Sequence, residues 1–87
     1  MSVRVTIEAA SKAEAELIAK GLPVRAKAQT WRGLGVIRLG ARTRAETNDF
    51  IDAVEQSFQE HKLRWARVRY DDDERVFRSS GYRTARS

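Results

Sequence analysis

Cysteine is absent from this chain of 87 residues, which excludes disulfides, thiolate metal ligands and cysteine nucleophiles. Long apolar runs are absent too, since no stretch approaches the roughly eighteen consecutive apolar residues of a membrane span. The N-terminal residues, MSVRVTIEAA, lack the cationic segment followed by an apolar run that marks a signal peptide. These absences predict a cytoplasmic protein.

Residues suited to catalysis or to metal binding are also scarce. The single histidine, His61, is expected to be a solvent-exposed residue near the end of a helix. Four consecutive acidic residues, 71–74, lack the ligand spacing of a calcium-binding loop and are interpreted as a hairpin tip. Gly33 and Gly35 form no dinucleotide-binding fingerprint, because no third glycine follows and a strand comes next. The sequence therefore predicts a non-enzymatic protein without a cofactor or metal ion.

Positive charge, in contrast, is plentiful. Seventeen lysine and arginine residues against twelve acidic residues give a net charge of +5. Thirteen of the seventeen cations are arginine, whose planar guanidinium group binds phosphate and carboxylate through two parallel hydrogen bonds. This balance favours a polyanionic partner. The strength of that inference depends on how the charges are distributed along the chain.

The chain contains an internal repeat with an offset of 32 residues. Residues 3–14, VRVTIEAASKAE, align with residues 35–46, GVIRLGARTRAE, and both read as a strand, a short turn and Ser/Thr-x-x-Glu. This last pattern is a capping box, in which the hydroxyl accepts from a first-turn N–H and the glutamate accepts from the N–H of the cap residue. Ser11 and Thr43 are therefore predicted to begin two helices in equivalent positions.

The remaining periodicities complete a β-α-β-β-α-β order. The first helix is predicted to end at Gly21, followed by Pro23, and the second, over 43–61, has the apolar stripe of an amphipathic helix. Period-2 alternation predicts a strand after each helix, over 24–31 and 64–70. We therefore expect an α+β fold, the ferredoxin-like two-layer sandwich, with a four-stranded antiparallel sheet and both helices on one face.

The C-terminal part adds two features to this single domain, which is predicted to span residues 1–78. The segment ERVFR, 74–78, follows an acidic turn and offers an additional C-terminal strand that would form a hairpin with the fourth strand. Residues 79–87 are polar and basic, and they are expected to form a flexible tail.

Alternation along each predicted strand sorts the side chains between the helix-covered face of the sheet and its open face. On the second strand, the residues directed to the core are Val24, Ala26, Ala28 and Thr30. Both tryptophans and six cations are directed to the open face, where Glu8 is the opposing acidic residue. These are Trp31, Trp65, Arg4, Arg25, Lys27, Arg38, Arg67 and Arg69. Since the segment 43–61 carries five acidic residues and one arginine, we expect a basic sheet and an acidic back.

Exposed tryptophans among arginines suit a single-stranded nucleic acid. Bases can stack on the indole rings while the guanidinium groups pair with phosphates. Arg78, Arg83 and Arg86 would add non-specific attraction. The leading hypothesis is therefore that the protein binds RNA or single-stranded DNA through the open face.

The same residues allow a second interpretation. Large exposed apolar side chains often mark protein interfaces, so Trp31 and Trp65 would also suit the centre of a homodimer or of another protein interface. A shift of register by one residue would instead turn Trp65 into the core. Binding of a protein partner, or self-association, is the alternative hypothesis.

The stretch RGLGVIRL, 32–39, has a basic residue, a glycine, a large residue, a second glycine and alternating hydrophobic residues. It resembles the third-strand motif of RNA-recognition motif domains and has the same predicted place in the chain. The resemblance implies RNA binding through the sheet. Leu34 and Val36 occupy positions where that family has exposed aromatic residues, so stacking would be left to Trp31 and Trp65.

The repeated pieces IEAASKAEAELI, 7–18, and RLGARTRAETNDFI, 38–51, are similar to the doubled repeat of SPOR domains. This resemblance implies the same fold, with a peptidoglycan glycan strand bound on the open sheet and tryptophan against the sugar rings. The chain lacks the Gln-x-Gly-Ser-Phe-like start of that family's first repeat. Glycan binding is therefore a minor alternative.

Overall fold

The computed structural model describes residues 3–79, which form two helices and five strands. The strands are β1 (Val3–Ala9), β2 (Gln29–Trp31), β3 (Leu34–Ala41), β4 (Trp65–Tyr70) and β5 (Asp73–Arg78). The helices are α1 (Lys12–Gly21) and α2 (Arg44–Glu60), and neither is long and apolar enough to cross a membrane. The predicted tail lies outside the described residues, apart from Ser79.

All five strands form one antiparallel sheet in the order β2-β3-β1-β4-β5. The predicted α+β class is confirmed, but the sheet has five strands and not four, since the additional C-terminal strand that the sequence offered, β5, pairs with β4 along its whole length. The acidic turn explains the difference. Asp71 has a φ of 52°, and together with Asp72 it reverses the chain within two residues, so the segment ERVFR returns directly along β4.

The hydrophobic core lies between the two helices and one face of the sheet. Val5, Ile7 and Val68 of the central strands belong to one buried cluster with Ile18 of α1 and Phe50 of α2, and each is at most 1% exposed. Full burial of a side chain of this size contributes about 1.5–3 kcal/mol, so this cluster fixes which strand positions point inward. The helices cover this face, and within residues 3–79 no helix lies on the other face of the sheet.

Both helices begin at the predicted cap residues. The Ser11 hydroxyl accepts from the N–H of Glu14 at 3.3 Å, and the Thr43 hydroxyl accepts from the N–H of Glu46 at 3.1 Å. Each bond satisfies one of the backbone donors that a helix start leaves without a partner. The observed ends of the helices also agree with the predicted ones.

The glutamates of the two capping boxes, however, do not accept from the cap residues. The Glu46 carboxylate accepts from the N–H of Arg42, one residue before the cap, at 3.0 Å. The Glu14 carboxylate accepts from the backbone N–H of Arg64 at 3.2 Å and from its Nε at 2.9 Å. Glu14 therefore ties the start of α1 to the loop that precedes β4, a connection that the local sequence pattern does not contain.

The two glycines of the stretch WRGLG have different structural roles. Arg32 and Gly33 have φ values of 52° and 81°, the positive pair of a two-residue type I′ turn, and glycine adopts such an angle without steric cost. Gly35 lies on the helix-facing side of β3. A β-carbon there would stand 2.5 Å from the Ala15 Cβ and would overlap the Ser11 carbonyl oxygen. The second glycine therefore allows the start of α1 to lie directly against the sheet.

The second strand is much shorter than the predicted 24–31. β2 covers only Gln29–Trp31, and within the described residues no backbone hydrogen bond joins 24–28 to β3. Val24 is 41% exposed and Thr30 is also exposed, so their predicted core positions are wrong. Ala26 and Ala28 pack against the core and remain partly exposed, because such short side chains bury little apolar surface. A hollow of about 790 Å³ lies between this segment and α1.

Replacement of Gly35 by alanine tests the close approach of α1 to the sheet. Because the overlapping atoms belong to backbone and to a β-carbon, no side chain can rotate away, and we expect Gly35→Ala to lower the free energy of unfolding by about 2–3 kcal/mol. Gly40→Ala on the same strand is the matched control, since no atom lies within 4 Å of the added β-carbon. Urea unfolding measures both, and equal midpoints for the two variants would contradict the packing described here.

Candidate functional site

The open face of the sheet is formed by alternate residues of all five strands. The register of the four strand pairs determines which side chains share it. In the order of the sheet, these residues are Gln29 and Trp31; Leu34, Val36, Arg38 and Gly40; Arg4, Thr6 and Glu8; Trp65, Arg67 and Arg69; and Glu74, Val76 and Arg78. The structure thus brings together six of the eight residues that the sequence predicts for the site.

Three arginines, Arg4, Arg38 and Arg69, surround Thr6 at one end of this face and are called the arginine cluster here. Arg38 and Arg69 are the direct neighbours of Thr6 on the two adjoining strands, so their backbones stand about 10 Å apart. All three are exposed. Within residues 3–79, none has a carboxylate oxygen within 4.0 Å. The cluster therefore presents guanidinium groups that form no ion pair within residues 3–79, although Glu74 stands opposite Arg69 on β5.

Four apolar side chains, Trp31, Leu34, Trp65 and Val76, lie toward the other end and are called the aromatic strip. Trp31 and Val76 are 47% and 39% exposed, while Leu34 and Trp65 are half-buried. The Arg32 guanidinium stands 4.7 Å from the centre of the Trp31 ring, a cation–π contact. The strip leaves aromatic surface accessible on two separate strands.

A buried ion pair separates the arginine cluster from the aromatic strip. Glu8 is only 5% exposed, and its Oε1 accepts from the Nε of Arg67 at 2.6 Å and from a terminal nitrogen of the same guanidinium. Val36, the neighbour of Glu8 on β3, is only 3% exposed although it lies on the open face. The charge of the Glu8 carboxylate is therefore compensated by Arg67 on the neighbouring strand.

Arg25 and Lys27 do not lie on the open face, which corrects the prediction for these two residues. They belong to the segment 24–28, which pairs with no strand in the described part of the chain. Together with Lys12 and Lys20 of α1, they line the hollow of about 790 Å³ beside that helix. These cations form a separate basic surface at the edge of the domain.

The contribution of β5 to the open face is absent from the sequence-based site. Glu74, Val76 and Arg78 stand in register with residues of β4 on this face. The sequence contained the information needed to find them. Alternation within ERVFR places these three side chains on one face as soon as the segment is paired with β4. β5 adds both an acidic group and an apolar one to a face expected to be basic.

The acidic residues of α2 lie on the other side of the molecule. Asp49, Asp52 and Glu60 are exposed on the helix layer, behind the sheet. His61 is exposed at the C-terminal cap of the same helix, and among residues 3–79 no three His, Asp or Glu side chains are grouped as metal ligands. These acidic residues of α2 therefore lie on the opposite side of the sheet from the arginine cluster.

No protein-family model matches the sequence, and neither the curated proteins nor the solved structures give a significant match. The likeness to RNA-recognition motif and SPOR domains is therefore one of sequence pattern alone. What this protein binds has to be argued from the chemistry of its open face.

Substitution of Arg67 tests the buried ion pair. Arg67→Met leaves the Glu8 carboxylate buried without a partner, and we expect a loss of about 3 kcal/mol or more in the free energy of unfolding. The double variant Glu8→Met/Arg67→Met should be more stable than Arg67→Met alone, because no uncompensated charge remains buried. Urea unfolding of the single and double variants measures this coupling.

Arg64→Met is the matched control for that experiment. Arg64 also pairs with a glutamate, Glu14, but its side chain is 62% exposed. Loss of an exposed ion pair costs at most about 1 kcal/mol. If Arg67→Met were as mild as Arg64→Met, the Glu8–Arg67 pair would not be the structural element described above.

Proposed function

We propose that this protein binds single-stranded nucleic acid, RNA or single-stranded DNA, through the open face of its sheet, as a binding protein and not as an enzyme. The observation that carries the proposal is the presence of the arginine cluster and the aromatic strip on one continuous face. The first suits phosphates and the second suits bases, and single strands present both at once.

The spacing of the two groups supports this division of roles. Arg69 and Trp65 belong to the same strand and are four residues apart, which corresponds to about 13 Å along β4. A short length of single strand laid along β4 would meet a guanidinium at one end and an indole ring at the other. Unstacked bases contribute about 1–3 kcal/mol each when they stack on an aromatic side chain.

The charge state of the face also favours a polyanion. The cations of the arginine cluster are exposed and have no acidic partner in the described chain, so they meet a phosphate without first breaking an ion pair. Glu8, which would repel phosphates, is buried and neutralised by Arg67. The acidic residues of α2 lie behind the sheet and would orient an approaching nucleic acid toward the basic side.

We further propose that β1 to β4 and the two helices form a ferredoxin-like unit. The β-α-β-β-α-β order of the chain and the order β2-β3-β1-β4 within the sheet support this assignment. In this interpretation β5 is an addition at the edge beyond β4. It widens the open face by one strand and brings Val76 alongside Trp65.

Self-association through the same face is the second candidate function. The exposure of Trp31 and Val76 favours it, since large exposed apolar side chains often mark a protein interface. Two copies facing each other would, however, add the positive charge of two arginine clusters to one interface, whereas a polyanion compensates that charge, and this favours the polyanion.

Titration of tryptophan fluorescence with a single-stranded oligonucleotide tests the proposal. We expect quenching at low salt, because bases stack on the indole rings. If Arg4, Arg38 and Arg69 each contact one phosphate, log K should fall with log salt concentration with a slope of about −2. Arg38→Gln should make the slope less steep by about 0.7.

Arg75→Gln serves as the control for that variant. It removes the same charge from the edge strand β5, but Arg75 lies in register with Val68, on the helix-facing side of that strand. For Arg75→Gln, the slope of log K against log salt concentration should equal that of the unmodified protein. Absence of quenching at low salt, together with a dimeric mass in solution, would reject nucleic-acid binding and favour self-association.

A further inference from the structure

A hollow of about 260 Å³ opens beside Trp65 on the open face and is called the β5 hollow here. Its lining comes from β3, β4 and β5 and consists of Leu34, Trp65, Arg67, Glu74, Val76 and Arg78. An apolar cavity of about 150 Å³ holds a benzene ring, so the β5 hollow has room for a heterocycle of one or two rings. Trp65 offers such a ring a surface for stacking.

One wall of the β5 hollow carries a hydrogen-bond acceptor. Glu74 stands opposite Arg69 in the ladder, yet in residues 3–79 no cationic nitrogen lies within 4.0 Å of its carboxylate. An ionised carboxylate accepts hydrogen bonds and donates none. A ring in the hollow must therefore present an N–H group to Glu74 in order to compensate for the water that it displaces.

The opposite polar wall carries donors. The Arg67 guanidinium bonds Glu8 through two of its nitrogens, and the planar group has five N–H donors in all, so donors remain for a ligand. The guanidinium of Arg67 also stands over the Trp65 ring, 5.9 Å from its centre, in a cation–π contact. The β5 hollow thus combines one acceptor and at least one donor around a flat apolar surface.

We infer that the β5 hollow selects a nucleobase with an exocyclic amino group over uracil or thymine. Cytosine, adenine and guanine each carry an N–H₂ donor next to a ring or carbonyl acceptor, which matches Glu74 and Arg67. Glutamate accepts from the cytosine amino group. The N–H donor of thymine and uracil lies between two carbonyl oxygens, and both oxygens would stand close to the carboxylate and repel it. This inference rests on the proposed function and specifies its ligand.

Fluorescence of Trp65 tests the inference in the full chain. In a Trp31→Phe background, Trp65 is the only tryptophan left. Oligo(dC) and oligo(dT) of equal length carry the same backbone charge and differ in the amino group. We expect oligo(dC) to bind about ten-fold more tightly, the discrimination of one good contact between a side chain and a base.

Glu74→Gln in the same background identifies the residue that makes the distinction. A side-chain amide both donates and accepts, so the ratio of the two affinities should fall to about one. Asp72→Asn is the matched control, since it removes one negative charge from the adjoining turn, outside the lining of the β5 hollow. It should strengthen the binding of both oligonucleotides alike and leave the ratio unchanged.

The outcomes separate this inference from the proposed function. If the Trp31→Phe protein, with Glu74 unchanged, binds the two oligonucleotides with equal affinity and both quench its fluorescence, base selection is overturned and nucleic-acid binding remains. A ratio that survives Glu74→Gln overturns the assignment to Glu74. Failure of both oligonucleotides to quench at low salt overturns the proposed function as well.

Discussion

The burial of Glu8 on the middle strand constrains everything else on the open face. A carboxylate that is 5% exposed is costly to bury without a partner, and Arg67 on the neighbouring strand supplies that partner. The pair requires β1 and β4 to keep one register, since a shift by one residue would turn one of the two side chains toward the helices. The pair also compensates the charge of one guanidinium, so the cations of this face that have no ion pair within residues 3–79 lie farther along, around Thr6.

Local patterns in the sequence were sufficient to predict most of the fold. The two Ser/Thr-x-x-Glu signals mark the helix starts, because a cap hydroxyl and the amide that it accepts from are three residues apart. The inward positions of β1 and β4 follow from strict alternation. The partner of Glu14 could not be predicted in this way, because Arg64 is 50 residues distant and only tertiary packing brings the two together. The early end of β2 likewise depends on how well the alanines of 24–28 fill the space beside α1.

The candidate site shows the same limit. Alternation assigns a side chain to a face only where the backbone remains a paired strand, and this condition holds for Arg38 and Arg69 but not for Arg25 and Lys27. The burial of Glu8 was not predictable either, since its sequence neighbours give an ordinary exposed position. Glu74 enters the face because of the two-residue turn before β5, and its consequence for ligand chemistry emerges only from the pairing of that strand with β4.

The early end of β2 has a further consequence for the behaviour of the protein in concentrated solution. Beyond Val36, β3 pairs only with β1 in the described part of the chain, so its outer backbone edge is a template on which a strand of another molecule could assemble. Charged side chains on an edge oppose such assembly, and Arg38 stands on this one. The Arg38 guanidinium, a member of the arginine cluster, therefore also opposes aggregation through this edge. An apolar residue at this position would remove a charge that opposes assembly through the edge of β3.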